Sequence, residues 1–128
     1  IIRNVAAGSL SKLLGIEEGT RLATPTLEFC YKEDRLNDPM INEYHIRALK
    51  LAADEDIEVI KNYAFKVNEL MSKFFKSLNI DLVDFKLEFG NFKGKITLRI
   101  SLGVDQKAKI PLTIPEIKSA AGMTKIDG

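Results

Sequence analysis

Hydrophobic and polar residues alternate without a break from Val83 to Gly90 (VDFKLEFG). Val83, Phe85, Leu87 and Phe89 fall on one face, and Asp84, Lys86 and Glu88 on the other. A period of two marks a strand with one buried face. Same-face neighbours on a strand lie about 6.5–7 Å apart, so the lysine stands between two carboxylates, each within reach of a bound ion or substrate. A solvated face of cross-strand ion pairs accounts for the same pattern. Ile1 to Val5 reads as a strand end that leads through Ala6-Ala7-Gly8-Ser9 into a short amphipathic turn, Leu10 to Leu14, closed by Gly15, with Ser9 as its N-cap. Pro25 opens a second alternating segment, Thr26 to Lys32, with Leu27, Phe29 and Tyr31 opposite Glu28, Cys30 and Lys32.

Lys32 to Pro39 has the composition of a loop, and Asn42 caps a short helix through about Leu49. The clearest helix spans Asp54 to Leu78. Ile57, Ile60, Ala64, Val67, Met71, Phe74 and Leu78 recur every three or four residues, and Phe65, Leu70 and Phe75 widen the stripe. That stripe predicts a main packing element under a sheet. After Val83–Gly90, a short Gly-containing link and the alternating run Ile96 to Leu102 complete a hairpin. The string GNFKGK within it is one residue short of a phosphate-binding loop and leads into a strand, where such a loop needs a helix.

Composition narrows the function classes. A chain of 128 residues has room for one modest domain. Nineteen basic against eighteen acidic residues leave a formal charge of +1, so no broad single-sign field calls for nucleic acid or a membrane, and any anion site must be local. The single cysteine, Cys30, forms no internal disulfide, and neither a signal peptide nor an apolar run of spanning length is present; a reducing, cytoplasmic setting is expected. His45 is the only histidine, which excludes a His pair within the chain. Arg3 lies close to the Gly8-Ser9 helix start, a place where backbone N–H groups and a hydroxyl suit an anion. Simple capping with a surface arginine is the plainer account.

VDFKLEFG, RNVAAGSLSKLLGIEEG (Arg3 to Gly19) and NDPMINE (Asn37 to Glu43) together closely resemble the C-terminal part of the SAICAR synthetase family, the phosphoribosylaminoimidazole-succinocarboxamide synthases. The resemblance covers roughly Ile1 to Leu98. It implies an α+β fold with an antiparallel sheet packed on a long helix, in the family's two-lobed, ATP-grasp-like layout with the N-terminal lobe missing. Residues 1–98 would be a substrate and ATP domain fragment, and 99–128 a divergent or unreliable C-terminal segment. The implied activity joins L-aspartate to the carboxylate of 5-amino-4-imidazolecarboxylate ribotide, with ATP and Mg2+, through an acyl phosphate.

By the same resemblance, Arg3 and Ser9 would hold the ribotide phosphate, and Asp84 would orient the ribotide or Lys86. Lys86 would offset charge at the reacting carboxylate, Lys32, Asp38 and Asn42 would border ATP, and Glu88 would bind magnesium. The implied partners are these small molecules, with no nucleic acid and no membrane; a homo-oligomer is left open. The pattern departs from the family where a second magnesium carboxylate is expected: this chain has Thr97-Leu98-Arg99-Ile100-Ser101, with Arg99 a cation near Glu88, and no Trp. A non-catalytic ribotide- or phosphate-binding fragment and a purely structural piece are therefore the alternative expectations.

Overall fold

β5 (Asp84–Phe92) lies at the centre of a four-stranded antiparallel sheet in the order β2-β1-β5-β6. The computed structural model describes residues 1–103; segment 104–128, with Asp105-Gln106-Lys107 and the Gly122–Gly128 terminus, lies outside the described residues. β1 (Ile2–Val5) leads into α1 (Gly8–Leu14), and β2 (Arg21–Leu27) into the two-residue β3 (Phe29–Cys30). A 3-10 turn at Asp34–Leu36 precedes β4 (Met40–Ile41), which pairs with β3 in a small second sheet. α2 (Glu43–Ala48), α3 (Asp54–Ser77), β5 and β6 (Lys95–Gly103) follow. The architecture is α+β, as expected. Among the described residues no helix is long and apolar enough to cross a membrane.

The alternation of β5 has the predicted consequence. Phe85 turns inward with Ile2 of β1 and packs against Ala64, Val67, Met71 and Phe75 of α3, with Ile80 and Leu82 closing the core and Leu87 at its margin. Residues directly opposite share a face, so the register Ile2↔Phe85 and Arg3↔Asp84 gives the sheet one apolar face and one polar face. Phe75, not Phe74, is the fully buried ring, and Phe65 and Leu78 remain about two-fifths exposed, so the stripe on α3 is narrower than the sequence suggests. Asp54, Glu55 and Asp56 occupy its first turn, where the helix dipole favours negative charge.

One polar pair interrupts this core. Asn4 and Asn68 exchange amide hydrogen bonds of 2.7 and 2.9 Å, and Asn68 is buried within the apolar stripe of α3. The pair fixes the position of α3 along β1. Asn68→Leu strands the Asn4 carbonyl and is expected to cost about 1–3 kcal/mol, read as a lower urea midpoint. An unchanged midpoint would show that the pair is replaceable by packing.

Local differences from expectation have local causes. Thr26–Lys32 is not one strand: β2 begins at Arg21 and ends at Leu27, and after Glu28 the chain pairs with β4 through Phe29↔Ile41 and Cys30↔Met40. Pro25 is tolerated inside β2 because β2 is an edge strand. α1 is capped by Ala7, not Ser9, and no side chain caps it; Gly8 takes the left-handed φ of +54° that turns the chain into the helix. The hairpin link is shorter than 91–95. Lys93 and Gly94, with φ of +50° and +78°, form a two-residue turn of the kind whose twist matches the flanking strands.

Candidate functional site

The polar face of the sheet carries a continuous row of charged side chains. At one end, Arg3 is 8% exposed, yet three side chains meet its guanidinium. Its Nε donates to both carboxylate oxygens of Glu28 at 3.2 and 3.1 Å, Nη1 to Asp84 Oδ2 at 3.2 Å, and Nη2 to Ser9 Oγ at 3.0 Å. The bulge where β1 leaves its ladder with β2, between Arg3 and Val5, brings α1 and Ser9 back over the same face. A guanidinium carries five N–H donors, so one N–H on each terminal nitrogen is left for an incoming group. Burial pushes the Asp84 carboxyl above its ordinary range; Arg3 pulls it down and Glu28 pushes it up again.

Further along β5, Lys86 Nζ donates to Asp38 Oδ2 at 3.1 Å and lies 3.7 Å from Glu88 Oε1. Lys32 approaches the same two carboxylates at 3.5 and 3.9 Å, while its shortest contact is Asp34 at 2.8 Å. Asp38 is brought here by a left-handed pair, Asn37 and Asp38 (φ +57° and +45°), after the 3-10 turn, and its Oδ1 accepts from the Glu33 N–H at 2.9 Å. Two lysines and two carboxylates thus share one small space. The hydrogen bond from Lys86 holds the Asp38 carboxyl below its usual value of 3.8, with the nearby Lys32 charge acting the same way. Hydrogen bonding to Asp34 raises the Lys32 ammonium.

That shift has a testable sign. A depressed carboxyl contributes stability above its unfolded value and loses it as pH falls through the folded one. Wild type is expected to melt above Asp38→Asn at pH 7, with the gap closing as pH drops below 3.8. A gap independent of pH would refute charge pairing as its source.

A cavity of about 180 Å³ opens beside this group. Its walls are apolar, from Ile2, Leu27, Phe29, Ile57, Ile60 and Phe89 among others, and its polar end is formed by Glu28, Lys32, Asp38, Lys86 and Glu88. An apolar slot with a few charged groups at one end suits a planar ligand carrying anionic groups. For a metal, the described residues hold no cluster of three or more His, Cys, Asp or Glu. Glu88 nonetheless offers a hard oxygen donor, about a quarter exposed, and magnesium that arrives on a nucleotide takes only one or two protein carboxylates. The register of β5 and β6 sets Arg99 opposite Glu88.

The structure therefore groups Arg3, Ser9 and Asp84 as one cluster and Lys32, Asp38, Lys86 and Glu88 as another. It leaves Asn42 outside both. The Asn42 side chain accepts from the N–H groups of Tyr44 and His45 at 3.0 and 3.2 Å, and His45 Nδ1 accepts from the Asn42 N–H, which is a closed helix cap. Glu28 is the residue that sequence reasoning passed over. Nothing in its alternating context distinguishes it from Cys30; only the approach of β2 to β1 makes it the partner of Arg3.

Known proteins resemble this chain in sequence and in fold. The sequence profile of the SAICAR synthetase family matches residues 1–102. Phosphoribosylaminoimidazole-succinocarboxamide synthase from Caldanaerobacter subterraneus is 58% identical over 105 residues, which are 82% of this chain and 45% of that protein. The synthase of the same name from Enterococcus faecalis is 56% identical over 93 residues, 73% of this chain and 39% of that protein. Among solved structures, the synthase from Ehrlichia chaffeensis matches with a TM-score of 0.70 at 42% identity, over 79% of this chain and 43% of its own. A SAICAR synthetase in complex with ADP matches with a TM-score of 0.69 at 50% identity, over 76% and 42%. The chain spans a little under half the length of these relatives.

Proposed function

The chain belongs to the SAICAR synthetase family, and from that premise we propose that it supplies the ribotide-facing part of an ATP-dependent carboxylate–amine ligase. The ligase joins L-aspartate to 5-amino-4-imidazolecarboxylate ribotide in the cytoplasm. The observation that carries the proposal is the Lys86 ammonium held between Asp38 and Glu88 beside Lys32, at the polar end of the cavity.

The chemistry explains why such a group is needed. A carboxylate is a poor electrophile. Its oxygen first attacks the γ-phosphorus of ATP, forming an acyl phosphate and releasing ADP; the aspartate amine then attacks the acyl carbon, phosphate leaves with the former carboxylate oxygen, and the nitrogen loses a proton. Each step drives anions together, so fixed cations lower the barrier. Lys86 offsets charge at the reacting carboxylate, and Lys32 meets the nucleotide phosphates. Arg3 and Ser9 take the ribotide phosphate through the two N–H groups that Glu28, Asp84 and Ser9 leave unused, while Asp84 orients the ribotide. Glu88, with Asp38 beside it, is the group that would hold magnesium, which when bound neutralises phosphate charge.

The test is isotopic. With the chain completed by the remaining sequence of the Caldanaerobacter relative, ribotide labelled with oxygen-18 in its carboxylate is expected to deliver one labelled oxygen to the released phosphate. ADP release that proceeds without ribotide, or phosphate that carries no label, would sink the acyl-phosphate route. One observation favours a second reading, a ribotide-binding piece without chemistry: Arg99, not a carboxylate, stands opposite Glu88. Binding of ribotide with no labelled phosphate in the completed ligase is the outcome it predicts.

A further inference from the structure

Glu28 sits where the two charged clusters meet. It follows the last residue of β2, bonds Arg3 through both oxygens, and also lines the cavity that Lys32, Asp38, Lys86 and Glu88 close. Asp84, the other carboxylate on Arg3, is not among the residues lining that cavity. The Glu28 side chain is 12% exposed, and its backbone N–H is tied to the Ile1 carbonyl at 2.8 Å, so the residue is held at its main chain as well as, through Arg3, at its carboxylate.

We propose that Glu28 is a positioning residue: by occupying the Nε edge of Arg3, it keeps the guanidinium turned so that its terminal nitrogens face an incoming anion. The proposal rests on the ribotide reading above. Its physical content is a competition for donors. Arginine and a single carboxylate prefer a two-bond, fork-to-fork pairing. With Glu28 on Nε, Asp84 receives one bond from Nη1 and Ser9 one from Nη2, and each terminal nitrogen retains a free N–H. Without the Glu28 charge, Arg3 turns onto Asp84 in that paired geometry and spends the donors a phosphate needs. A second effect opposes this: Glu28 is itself an anion, and removing it lowers repulsion toward a phosphate. Arg3 is nearly enclosed, so its orientation cannot be restored by solvent, and the loss of donors prevails.

The experiment uses the full chain in two measurements. Titration calorimetry with 5-amino-4-imidazolecarboxylate ribotide is expected to show Glu28→Gln binding about tenfold more weakly than wild type, at a temperature well below the lowered melting point that removing half of a buried ion pair brings. In nitrogen-15 spectra the Arg3 Nε–H is expected to exchange slowly in wild type and faster in Glu28→Gln. Equal or tighter ribotide binding by Glu28→Gln overturns the proposal, because Glu28 is then only a counter-charge. Failure of Glu28→Gln to fold also overturns it, in favour of a purely structural role. A wild type that does not bind ribotide, while Arg3 Nε–H protection still depends on Glu28, refutes the ribotide reading and leaves the positioning of Arg3 supported.

Discussion

Arg3→Met is expected to cost about 3–5 kcal/mol of stability, the usual penalty for removing one partner from a buried ion pair. Methionine keeps much of the aliphatic stem but no charge, so packing changes little and electrostatics changes greatly. Glu28 and Asp84 are left facing each other, their side chains 12% and 25% exposed, with no cation between them. The exposed quarter of Asp84 admits water, which places the cost toward the lower end. Burial and the Glu28 charge already push Asp84 upward against the pull of Arg3. Without Arg3 that pull disappears, and the Asp84 carboxyl holds its proton more readily. The penalty should therefore be largest at neutral pH and shrink as acid protonates Asp84 and removes its charge. Urea denaturation at several pH values reads this directly, and Glu28→Gln added to Arg3→Met should recover part of the loss. A cost below about 1 kcal/mol at pH 7 would mean that the cluster behaves as a surface pair.

The elements that were legible in the sequence are those written in local periods. VDFKLEFG announces β5 and its two faces, the three-four spacing announces α3, and Asn42 announces the cap of α2, because each depends on residues a few positions apart. The pairings that make the site are not local. Arg3 meets Glu28 across 25 positions, and Lys86 meets Asp38 across 48. No pattern within either segment encodes those distances; they follow from β1 pairing with both β2 and β5, and from the loop after Glu33 folding back over the sheet. Ser9 shows both sides. Its sequence context proposes a helix cap, but the hydroxyl goes to Arg3 because the chain re-crosses the polar face at the bulge. Asn42 shows the converse: a side chain that the family motif placed near the nucleotide is already committed to the cap that its local sequence specifies.

The same reasoning separates Lys86 from Arg3. Lys86→Met, in the ligase completed as above, is expected to lower kcat by about 10²–10³-fold, the usual cost of removing one fixed group that stabilises developing negative charge. Its effect on stability should be small. The lysine side chain is one-third exposed and the Asp38 side chain 22% exposed, and pairs this open are screened by water and contribute little to stability. Arg3 is enclosed and paired with Glu28 and Asp84, so its loss is felt in folding as well as in the phosphate contact. Lys86 lies at the mouth of a cavity, where its carboxylate partners can yield to an incoming anion, so its loss is felt in the reaction. Single-turnover ADP release by Lys86→Met, measured beside its urea midpoint, tests both halves. A wild-type rate would remove Lys86 from the chemistry, and a large drop in midpoint would make it part of the framework that Arg3 anchors.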